Sequence, residues 1–178
     1  MSAAAGTLVA IGVGNVLLGD DGAGVRVIEG LRRLSESDPE ALPPATRLVD
    51  GGTLGSGLLD EVASARALLI VDAVDLGLIP GSVAVWRGGG PPSAHDDHGI
   101  GELLSVARLA GILPSAVTVV GIGVDVIDAG TTLSPRVESA VGRAVTVARR
   151  ELRALDRRAT RAGADAQLAG RVPAGVAG

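Results

Sequence analysis

The sequence predicts an α/β fold, a three-layer α/β/α sandwich built on a five-stranded, mostly parallel sheet. Three observations carry this. Short β-branched and apolar runs without polar alternation recur along the chain, as expected of strands buried on both faces. Segments with apolar residues at helical spacing separate them, the mark of βαβ units. Aspartates collect just after the apolar runs, at the edge where parallel sheets bind ligands.

TLVAIGV, from Thr7 to Val13, is the first such strand, and the glycine-rich GNVLLGDDGAG follows it. VRVIEGLRRL then places Val25, Ile28, Leu31 and Leu34 on one helical face, with Asp20 and Asp21 as candidate caps near its positive end. After the loop SESDPEALPP, a short strand RLVD ends in Asp50-Gly51-Gly52, GSGLLDEVASA reads as helix, and ALLIVDAVD is a strongly apolar strand ending in acid. GSVAVW is reached through Leu78-Ile79-Pro80-Gly81 with no room for a crossover helix, so it is expected to run antiparallel at an edge. GGGPPSAHDDH, which holds both histidines, reads as loop; IGELLSVARLAG as helix; AVTVVGIG as the fifth strand. Ser134 and Pro135 suit the N-cap and first turn of a last helix reaching about Arg158. One domain over residues 1–159 is expected. Residues 160–178, small, glycine-rich and without an apolar face, read as a disordered tail.

The 178 residues are 47% hydrophobic and 20% charged, with a net charge of −4, and every basic residue except histidine is arginine. No basic footprint for nucleic acid is present. The chain has no cysteine, which removes thiol nucleophiles, thiolate metal sites and disulfides. MSAAAGTLVAIGVGN lacks a positive leader and a sustained apolar run, so neither a signal peptide nor a membrane span is expected, and a cytoplasmic location is.

Three kinds of chemistry are open to these residues. Gly12-Val13-Gly14 after a strand, with Asp50 ending the next, suggests a dinucleotide site; however, Leu17 stands where the third glycine belongs, and Asp20-Asp21 would repel a pyrophosphate. Asp21, Asp72 and a histidine of the loop, His95 or His98, form an oxygen and nitrogen donor set suited to a borderline divalent ion. Ser56 with a histidine could form a serine triad, but no G-x-S-x-G elbow is present. Asp75, Asp125 and Asp128 belong to the same edge; an aspartate there is as readily an ordinary cap or strand end.

GVGNVLLGDDGAGVRVIEGL, VDGGTLGSGLLDEV, LLIVDAVD and the serine-histidine loop together resemble the hydrogenase maturation proteases. The resemblance spans about Leu8 to Val147, and its specific motif is G-x-G-N-x-x-x-x-D-[DE]-G-x-G-V-R. It implies an endopeptidase that removes the C-terminal extension of a nickel-iron hydrogenase large-subunit precursor after nickel insertion. Asp21 and Asp72 would be its catalytic and metal-reading acids. Nickel, carried by the precursor, would be read by Asp21, Asp72 and His95, with His98 as the alternative. Ser93-Ala94-His95 fits the family's S-x-H but lies one residue too far from Leu103-Leu104, and His98 lies too near. A non-catalytic metal-sensing chaperone of the same subunit is the competing reading, and a nucleotide-binding α/β protein a more distant one.

Overall fold

The apolar run Ala65–Val74 (β3) becomes the middle strand of a five-stranded sheet in the computed structural model, which describes residues 6–89 and 100–169. Its neighbours are Thr7–Val13 (β1) and Val117–Gly123 (β5); Thr46–Gly52 (β2) lies outside β1 and Val83–Arg87 (β4) outside β5. The order is β2-β1-β3-β5-β4, parallel except for β4, which runs antiparallel to β5 with Val85 opposite Val120. The five-stranded, mostly parallel sheet and its antiparallel edge are as the sequence predicts.

Alternation explains why the strands are apolar throughout. Leu8 and Ala10 of β1, with Leu69 and Val71 of β3, face one layer made of Ala23–Ser37 (α1) and Pro135–Ala169 (α4). Val9 and Ile11, with Leu68 and Ile70, face the other, made of Leu59–Ser64 (α2) and Ile100–Leu109 (α3). On α4 the buried stripe is Val137, Ala140, Ala144, Ala148, Leu152 and Leu155, the three- and four-residue spacing of a helix laid on a sheet.

Glu151, also on α4, is buried, yet it lies in no apolar gap. Arg87 of β4 donates to both of its oxygens, Nε at 2.9 Å and Nη2 at 2.7 Å, and Arg150 adds a second cation. Burial opposes ionisation of Glu151, but these hydrogen bonds and charges outweigh it and hold its carboxyl below the ordinary range. The pair clamps the edge strand to the long helix.

Two local expectations are corrected. Neither Asp20 nor Asp21 caps α1, whose N-cap is Gly22; both acids sit in a 3-10 turn, Gly19–Gly22, that precedes it. The last helix passes Arg158 and ends at Ala169, so residues 160–169 are helical where a disordered tail is expected. Alanine, arginine, glutamine and leucine there favour helix without any apolar face to bury. Residues 170–178 lie outside the described residues. Among the described residues no helix is long and apolar enough to cross a membrane.

Candidate active site

The loops that follow β1, β2, β3 and β5 meet at the carboxyl edge of the sheet, and the order of the strands decides which acids meet there. β3 lies between β1 and β5, so Asp72, opposite Gly121 of β5, stands at the centre of that edge. It shares strand parity with Leu68 and Ile70, which directs its side chain toward the α2–α3 layer. It is partly buried.

Asp21 is brought to the same place by glycine chemistry. Gly14 has a φ of 129°, and a Cβ there would lie 1.8 Å from the carbonyl oxygen of Asp21. The 3-10 turn therefore lies directly on the end of β1. Gly24, at the start of α1, touches the carbonyl oxygens of both Val13 and Val71; a Cβ would meet them at 2.3 and 2.4 Å. Helix α1 thus begins directly over the ends of β1 and β3. Asn15 completes the arrangement: its Oδ1 accepts from the N–H of Leu17 at 2.9 Å, and its own N–H donates to Asp21 Oδ2 at 2.7 Å. Neither periodicity nor charge in the sequence marks Asn15 out. An Asx turn, Asn15 bonded two residues onward, is the signal that could have found it.

The electrostatics couple the two acids. Burial, and after it the charge of Asp21, pushes the Asp72 carboxyl up to about 7, against the opposing hydrogen bond from Ala73. Asp72 therefore exchanges its proton near neutrality, the range that suits a general acid or base.

Asp20, the adjacent residue, does different work. It is fully buried and accepts four hydrogen bonds: from the N–H groups of Asp125 and Val126, both at 2.9 Å, and from the N–H and hydroxyl of Ser134 at 2.6 and 2.8 Å. Burial opposes its ionisation, but these bonds outweigh it and lower its pKa. Ser134 precedes Pro135 as expected, but its hydroxyl turns to Asp20. Two consecutive aspartates thus divide between holding the loops and setting the charge beside Asp72.

The remaining candidates separate. Asp50 is exposed, and its Oδ1 accepts the N–H of Gly52 at 3.0 Å, so it shapes its own turn. The close approach at Gly14 that a pyrophosphate would need is filled by the Asp21 backbone. Ser56 is exposed in a 3-10 turn, Gly55–Leu58, and its side chain bonds to no other described residue. Asp75 is exposed; Asp125 lies 4.0 Å from Arg136; Asp128 accepts the N–H of Ala129. His95 and His98 lie outside the described residues. Among the described residues no group of three or more metal-binding side chains is assembled.

A family model for hydrogenase maturation proteases matches residues 25–151, a span that includes Asp72 and begins just after Asp21. The chain is 38% identical over 156 residues to the hydrogenase expression/formation protein HupD of Rhodobacter capsulatus, covering 83% of this chain and 71% of that protein. It is 39% identical over 122 residues to the hydrogenase expression/formation protein HoxM of Cupriavidus necator, covering 64% of this chain and 57% of that one. Among solved structures, the hydrogenase maturating endopeptidase HybD from Escherichia coli superposes with a TM-score of 0.67 at 29% identity, over 79% of this chain and 88% of that chain.

Proposed function

Since this chain belongs to the hydrogenase maturation protease family, we propose that it is the endopeptidase that removes the C-terminal extension of a nickel-iron hydrogenase large-subunit precursor once nickel is in place. The observation that carries this reading is the coupling of Asp21 to Asp72 at the sheet edge. Two carboxylates that repel one another resist ionising together. A precursor that presents a divalent ion supplies the charge that lets both ionise; an empty precursor leaves them opposed and docks less well. The pair thereby reads the cargo before any bond is cut. His95, with His98 as the alternative, completes the reading set in this proposal.

The chain has no cysteine and no G-x-S-x-G elbow, so in this proposal the attacking group is water activated by an acid. Ionised in the complex with the loaded precursor, Asp72 can take a proton from water as it attacks the scissile carbonyl and return it to the leaving amine. That makes the peptidase aspartic in type. Asp21, held by the Asn15 N–H, stays in position to keep Asp72 basic. The cytoplasm is the compartment that goes with this reading, because the substrate is an unfinished precursor. Incubating the pure chain with nickel-loaded and nickel-free precursor, and following the mass of the large subunit, tests it. Shortening of the loaded form alone is expected. A large subunit that keeps its mass while binding the chain would instead identify a metal-sensing chaperone.

A further inference from the structure

Large apolar side chains exposed singly are ordinary, but a set gathered at one edge marks a contact surface. All but one of those exposed among the described residues stand on the loops around Asp72: Val16 and Leu17 after β1, Leu54 after β2, Ile79 after β3, Val126 and Ile127 after β5. The exception, Leu109, ends α3.

The two most connected of these loops are fastened into one ledge. The Gly130 N–H donates to the Leu17 carbonyl at 2.9 Å, the Gly19 N–H to the Gly130 carbonyl at 2.9 Å, and the Asp20 N–H to the Val126 carbonyl at 3.1 Å. The buried Asp20 carboxylate closes the set through Asp125, Val126 and Ser134. A ledge held this firmly loses little conformational freedom on binding. Its surroundings are acidic. Asp50, Asp75 and Asp128 are exposed and enter no ion pair among the described residues, while Arg136 reaches Asp125 only at 4.0 Å.

We propose that this apolar ledge with its acidic surround is the docking surface for a stretch of the precursor in which apolar side chains stand next to basic ones. The inference rests on the proposed endopeptidase reading and adds what the enzyme grips besides the metal. Apolar contact supplies affinity, and the uncompensated acids select for arginine or lysine beside it.

The test pairs cleavage of the nickel-loaded precursor with its direct binding to the full chain. Leu17→Ser combined with Ile127→Ser leaves the Asp20 bonds untouched; it should raise KM about tenfold, weaken binding equally and leave kcat within about twofold. Asp75→Asn should reduce the loss of affinity that added salt causes. Leu109→Ser, equally apolar but placed off the edge, should match the unmodified chain in both measurements. Unchanged KM and binding in the double variant, or an equal loss in Leu109→Ser, would overturn the docking surface while leaving the endopeptidase reading intact. A precursor that the unmodified chain neither binds nor cuts overturns both. Self-association of the chain that disappears in the double variant would assign the ledge to a second copy and overturn the proposal.

Discussion

Asp20 accepts hydrogen bonds from both the backbone N–H and the hydroxyl of Ser134, a residue 114 positions away in sequence. The bonds tie the turn after β1 to the start of the last helix. Asp20→Ala leaves three N–H donors and a hydroxyl without their shared acceptor, and should cost about 2–3 kcal/mol in urea unfolding. The sign with pH also follows. A carboxyl held below its unfolded range adds stability that is complete above about pH 4 and lost as pH falls through the folded value. The acid limb of the melting profile should therefore be shallower in Asp20→Asn.

Asp21→Ala and Asp72→Ala should each reduce precursor processing by at least about a hundredfold while leaving the circular dichroism spectrum native. Both acids stand at the edge and outside the core clusters. Native spectra with normal cleavage would remove them from the mechanism, whereas unfolding would assign them a structural role.

Asp72 makes the opposite contribution from Asp20. Between the ordinary value of 3.8 and about 7, the folded chain holds a proton that the unfolded chain has released, so stability falls as pH rises through that window. Asp72→Asn should match the unmodified chain near pH 4 and exceed it by about 2–4 kcal/mol above pH 7. Asp21→Asn removes the facing charge and should lower the Asp72 titration midpoint, read from its carboxyl carbon by NMR.

Gly24→Ala forces a Cβ against two backbone carbonyls that cannot move aside. It should cost more than about 2 kcal/mol and lower processing, because α1 and the turn holding Asp21 shift together. Gly142→Ala, on an exposed face of α4 with nothing within 4 Å of the new Cβ, should instead stabilise the chain by about 0.5–1 kcal/mol. Thermal unfolding of the two variants separates close packing from helix propensity.

For the histidines, His95→Ala should weaken discrimination between loaded and empty precursor, and His98→Ala should leave it. The reverse result would exchange their roles.

The strands, the antiparallel edge and the grouping of the acids were legible because each follows from local pattern: unalternating apolar runs, a connection too short for a helix, aspartates at strand ends. The division of labour between Asp20 and Asp21 was not. It depends on where the loop after β5 returns, and nothing within the GDDG string contains that. The Arg87–Glu151 clamp spans 64 residues and was invisible for the same reason. Helix α4 runs past Arg158 because helix propensity continues there after the apolar stripe has ended, and only the stripe is visible as a pattern.

The position of β5 has a consequence for how the chain is made. β4 precedes it in sequence, yet among the described residues β4 pairs with β5 alone, and β5 lies between β4 and β3. As the polypeptide leaves the ribosome, β4 emerges with an unsatisfied backbone and must wait for a strand some thirty residues behind it. The sheet closes by insertion of β5 between β3 and β4, so a nascent chain stopped before Val117 can pair β1, β2 and β3 but leaves Asp72 without the strand that stands opposite it.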